Sequence, residues 1–224
     1  LYSSAASDVY KRQVADGCID IVFNCTNYDE TYIMRYCNSF VKIGIDKEFN
    51  YFGIRFLPGI FPSLFNIDAS ELSNHYERLN TVQPCIYNVI QQSKDRCLCL
   101  QDLCDELNIY FIKHINKIDK PFDNRFFCAL ETILKSKGSI IIEKDLNDGI
   151  SSRHLQRLFN FYIGDTAKSF CRIVRFQNLL KIDPSVKLIK SEKSYYDFGY
   201  YDQTHFIKEF KLFYGKTPLK IAAE

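Results

Sequence analysis

No apolar run in this chain of 224 residues approaches the roughly 18 residues needed to cross a bilayer. The opening residues also lack the basic region and apolar stretch of a secretory signal. Together these absences predict a cytoplasmic protein with no membrane partner. Paired C-x-x-C spacing is missing as well. The nine cysteines (Cys18, Cys25, Cys37, Cys85, Cys97, Cys99, Cys104, Cys128 and Cys171) are scattered, and the densest group, Cys97, Cys99 and Cys104, does not have zinc-site spacing. In a reducing compartment they are expected as free, small, buried hydrophobes, and no metal or cofactor is expected. Histidine is scarce too. A cupin-like metalloenzyme needs clustered histidines and carboxylates, yet His75 alone precedes the helical region, with His114 inside it. The expectation is that the chain is not an enzyme. Methionine occurs once, as Met34, and Leu1 opens the chain, which predicts a fragment or a start in foreign residues. The Ser- and Ala-rich residues 1–13 are set aside as a junction segment.

What is present is an ordinary hydrophobic fraction of 46%, enough for one large or two modest folded domains. Charge is unevenly shared. Residues 121–224 hold 17 Lys and Arg against 12 Asp and Glu, while residues 1–120 hold 12 against 15. A basic C-terminal half suits phosphate binding, although the excess is small.

The two halves differ in period. Residues 18–23, 40–45 and 51–57 are short aromatic and β-branched runs between turn residues, and they read as strands. Three strands are too few for a closed barrel. After Pro62 the spacing becomes helical, and residues 85–115 predict one or two helices. Asp119-Lys120-Pro121 marks a boundary, because proline suits a helix start and pushes the preceding residue out of the α region. Phe126, Phe127, Leu130, Ile133 and Leu134 then define a helix that Gly138 is expected to stop as its C′ residue. The predicted fold class is α+β: a truncated β-rich unit (14–83), a helical connection (84–120) and an all-α domain (121–224).

The all-α half repeats itself at a period of 51 residues. His154-Leu-Gln-Arg-Leu-Phe-Asn-Phe-Tyr-Ile-Gly-Asp-Thr166 aligns without gaps on His205-Phe-Ile-Lys-Glu-Phe-Lys-Leu-Phe-Tyr-Gly-Lys-Thr217. In the first copy Ser151 is a good N-cap, Leu155, Leu158, Phe159 and Tyr162 form the buried stripe, and Arg153, Gln156 and Arg157 share the opposite face. Arginine matches the O6 and N7 of guanine and glutamine matches adenine, so this face suits major-groove readout. In the second copy Phe206, Phe210 and Phe213 are expected inside, with His205, Ile207 and Lys208 outside. Gln203, Thr204 and Lys208 are placed to touch bases or phosphates. The two histidines flank core positions and are expected to pack or cap rather than read bases.

These motifs resemble those of the AraC family of transcription regulators. Ile150-Ser-Ser-Arg-His-Leu-Gln-Arg-Leu-Phe159 with Gly164 is similar to that family's first helix-turn-helix. Phe198-Gly-Tyr-Tyr-Asp-Gln-Thr-His-Phe-Ile-Lys-Glu-Phe-Lys211 with Gly215-Lys-Thr-Pro218 is similar to the second. The likeness spans about residues 122–222, and the family's connecting helix fits Thr166 to Lys181 with Arg175. Residues 16–23 and 52–59 are more loosely similar to the β-rich N-terminal domain of one branch. The resemblance implies two recognition helices entering successive major-groove segments about 34 Å apart. It implies base reading by Arg153, Gln156 and Arg157 and by Gln203, Thr204 and Lys208. It implies double-stranded DNA as partner and leaves an unidentified small-molecule effector and a homodimer open. The chain departs from the family at the long polar stretch 182–194, at the irregular first supporting helix (140–146) and at Tyr195, where a small residue is usual and a bulky one forces spreading or repacking. The alternative is a protein-interaction module whose helix-turn-helix no longer binds DNA.

Overall fold

Ile19, Ile21 and Phe23 occupy alternate positions, and a period of two sends them to one face of a strand. In the computed structural model, which describes residues 10–13, 15–44, 50–72, 76–94, 96, 99–118, 122–146, 149–182 and 194–222, all three are buried. The strands are β1 (Tyr10–Gln13), β2 (Ile19–Asn24), β3 (Thr31–Met34), β4 (Val41–Gly44), β5 (Tyr51–Phe56) and β6 (Tyr76–Arg78). An antiparallel four-stranded sheet runs β5-β2-β3-β6, and β1 pairs with β4 in a separate ribbon. Tyr10–Gln13, set aside on sequence grounds, is therefore a paired strand. Asp20 points to the other face of β2, where it is nonetheless buried, and stands opposite Arg55 in register. Arg55 grips it through Nε and Nη2 at 2.9 and 2.7 Å, satisfying a carboxylate that burial would otherwise penalise.

Helices α1 (Ile60–Phe65), α2 (Leu79–Val82), α3 (Pro84–Ser93) and α4 (Leu100–Ile115) follow, with a 3-10 turn at Ala69–Glu71. Ile86, Ile90, Leu103 and Leu107 are buried in one cluster with Ile21, Phe23, Ile33 and Phe56. The segment expected as a helical connection thus shares the core of the sheet. His114 belongs to this packing: its Nε2 lies 2.9 Å from the Leu64 carbonyl, and its ring rests against Phe65 and Tyr110.

The C-terminal region holds α5 (Asn124–Lys135), α6 (Ile142–Asp145), α7 (Ser152–Ile163), α8 (Ala167–Ile182), α9 (Ser194–Asp197), α10 (Gln203–Tyr214) and α11 (Pro218–Ala222). Phe126, Leu130 and Ile133 of α5 are buried as the spacing predicts, whereas Leu134 is exposed. The stop comes one residue earlier than expected. Lys137 takes the left-handed conformation (φ 55°), and the Gly138 amide then donates to the Ile133 carbonyl at 2.9 Å. The boundary at residues 119–121, residues 147–148, His75, Cys97 and the polar stretch 183–193 lie outside the described residues.

The cysteines divide. Cys18, Cys37 and Cys171 are buried, and burial pushes their thiols up to about 12, 11 and 11. Cys85, Cys99 and Cys128 are exposed, contrary to the expectation of uniform burial. No helix among the described residues is long and apolar enough to cross a membrane, and no group of metal-binding side chains occurs among them.

Candidate nucleic-acid interface

The 51-residue repeat carries through to geometry. Helix α7 starts at N-cap Ser151, whose hydroxyl accepts from the His154 amide at 3.3 Å. Helix α10 starts 51 residues later at N-cap Asp202, whose carboxylate accepts from the His205 amide at 2.7 Å. Each cap satisfies an amide that has no partner within the helix. The helices end on Gly164 (φ 86°) and Gly215 (φ 85°), the left-handed conformation that costs other residues about 1–2 kcal/mol. Start, length and stop are the same in both copies.

Leu155, Leu158 and Phe159 are buried in α7, as expected. Ile163 is buried too, while Tyr162 is half-exposed and stacks on Phe126 with centroids 4.3 Å apart. Arg153, Gln156 and Arg157 are all exposed on the other side. In α10, Phe206, Phe210 and Phe213 are buried and Gln203, Thr204 and Lys208 are exposed. His205 and Ile207, expected outside, are half-buried. Both apolar stripes turn inward and leave a short polar face free, which is the disposition of a recognition helix.

Helix α8 joins the two units through two arginines. Arg175 donates from Nη2 to the Gly138 carbonyl at 3.2 Å and lays its guanidinium 5.4 Å from the centre of the Tyr200 ring. Arg172 pairs with Glu209 of α10, whose Oε1 also lies 3.3 Å from His205 Nε2. Burial pushes the Tyr200 phenol up, and the nearby Glu209 charge adds to the shift. Glu209 was not foreseen as a structural residue, although the signal existed: a charge in register with Phe206, Phe210 and Phe213 has to find a partner inside. An open cleft of about 690 Å³ lies between α6, α8 and α10, with Lys168, Arg172, Arg175 and Lys208 on its walls. Glu143 and Glu209 share those walls, and Glu209 is paired with Arg172, so Lys168 and Lys208 are the exposed cations that face the space between the units.

Helix α6 is a single turn, as the irregular stretch 140–146 suggested. Tyr195 packs against the helical core, nearly parallel to Phe206 with centroids 6.4 Å apart.

Comparison with known families gives two matches. Residues 148–223 match the model described as a helix-turn-helix domain, which is of AraC type, and residues 2–78 match a domain of unknown function (DUF6597). No match is found among curated proteins or among solved structures.

Proposed function

We propose that this chain, whose residues 148–223 form an AraC-type helix-turn-helix domain, is a transcription regulator that reads duplex DNA with α7 and α10. The observation that carries this reading is the pair of identically capped helices 51 residues apart, each with its apolar side buried and a polar side open. Arg153, Gln156 and Arg157 supply most of the base readout, because bidentate arginine and glutamine contacts discriminate by about 1–3 kcal/mol each. Gln203, Thr204 and Lys208 contribute fewer paired contacts, and Ile207 is half-buried, so the second unit discriminates less. The β-rich N-terminal unit is the part of the chain to which an effector or a second copy, both left open by the resemblance, would be assigned.

Selection of bound sequences from a random duplex pool, followed by titration at two salt concentrations, tests the reading. Affinity should fall steeply with salt as counterions are released. Arg157→Ala should weaken the selected site by about 1–3 kcal/mol and relax preference at one position. Salt-independent binding, or an Arg157→Ala variant that binds as well as its parent, would sink the reading.

A further inference from the structure

The connection between β3 and β4 does more than link two strands. Arg35 donates to the Leu72 carbonyl at 3.1 Å within its own half and to the carbonyl of Gly164, the residue that ends α7. Tyr36 is buried and donates its hydroxyl to the Asp165 carboxylate, and Asn38 donates to the same carboxylate at 3.1 Å. Two residues later the Phe40 amide donates to the Leu212 carbonyl of α10 at 3.0 Å. The Phe40 ring lies so close to Gly215 that a Cβ there would come within 2.7 Å of it. Gly164 and Gly215 are the same position in the two copies of the repeat. One six-residue segment therefore holds both recognition helices at equivalent C-terminal ends.

We infer that residues 35–40 are a strap that sets the spacing and relative orientation of the two recognition helices. Helix α8 packs against both α7 and α10, and the strap adds a second link between the C-terminal ends of those helices. The inference rests on the reading that α7 and α10 bind DNA. Two binding units held rigidly at the right separation engage a second element at high effective concentration, and a loosened frame forfeits part of that advantage. Tyr36, Asn38 and Phe40 are positioning residues in this scheme, since none of them lies on the exposed faces of α7 or α10.

The test uses the full chain and three duplexes: the selected site, the same site with one or two base pairs inserted between its elements, and a single element. The parent should bind the inserted site at least about tenfold more weakly than the selected one. The variants Tyr36→Phe with Asn38→Ala, and Phe40→Ala, should bind the selected site about tenfold more weakly than the parent, lose less than about threefold on insertion, and match the parent on the single element within about twofold. Variants that keep the parent's sensitivity to insertion would overturn the inference. Tyr36→Phe alone keeps the ring in the core and serves as the probe if Phe40→Ala does not fold. Amide exchange on the free protein separates the strap from the DNA reading. Loss of the Tyr36 and Asn38 anchors should speed exchange at Phe40 and Gly215 as well as at Thr166, and acceleration confined to the Asp165 end would show that the strap does not join the units. A parent that binds no duplex would remove the DNA reading, and exchange would still decide whether the strap couples the two helices.

Discussion

Glu209 is the charged residue on which the junction of the two units turns. Its side chain is 4% exposed, it pairs with Arg172, and it has His205 within 3.3 Å. Removing one partner of a buried pair leaves the other charge uncompensated, at a cost moderated here by the partial exposure of Arg172. Glu209→Ala should therefore cost about 2–4 kcal/mol and lower the thermal midpoint by several degrees. Asp165 responds to acid instead. Burial acts to raise its carboxyl, and hydrogen bonds from Tyr36, the Thr166 amide, Asn38 and Ser169 outweigh burial and hold it below its ordinary value of 3.8. A carboxyl depressed in the folded state stabilises the fold above 3.8, and that stability disappears as pH falls through the folded value. Denaturant titrations between about pH 2 and 6 should show this acid-labile component in the parent and its loss in Asp165→Asn; parallel curves would disprove it.

At the scale of elements, caps and glycines define α7 and α10. Ser151 and Gly164 were both legible in the sequence, because capping is decided by a residue and its neighbours within four positions. Asp202 was legible only as part of the segment that resembles the second helix-turn-helix. Strand β3 and strand β6, four and three residues long, were missed because such short segments carry too few alternations to register as a period. Gly164 has a second duty that no local rule shows. A Cβ there would stand 2.8 Å from the carbonyl oxygen of Ala69, a backbone atom that cannot swing aside. Gly164→Ala should lose about 2 kcal/mol or more in urea unfolding, exceeding the roughly 1–2 kcal/mol of left-handed strain alone.

Among the described residues the molecule has two apolar cores, and the one built on α5, α7, α8 and α10 is not confined to the helical half. Ala15 and Tyr36 are buried within it, Gly17 lies against Phe170, Gly59 lies against Phe126, and Gln177 donates to the Ala15 carbonyl. A fragment of residues 122–224 would expose those faces to water. It should unfold at a lower temperature than the full chain and bind an apolar dye that the full chain excludes, as calorimetry and fluorescence would show. Equal midpoints would mean that the helical half is self-sufficient.

Helix periodicity, the 51-residue repeat, the capping residues and the exposed Arg153, Gln156 and Arg157 were determined by the sequence alone. They follow from residues a few positions apart on one helix or from direct comparison of two segments. The covering of the sheet by α3 and α4, the interior pairing of Glu209 with Arg172, and the strap were decided by tertiary structure. Tyr36 and Asp165 are 129 residues apart in the chain. Their hydrogen bond exists because the fold presents residues 35–40 to the C-terminal ends of α7 and α10, and an encounter at that separation imposes no periodic pattern on the sequence between them.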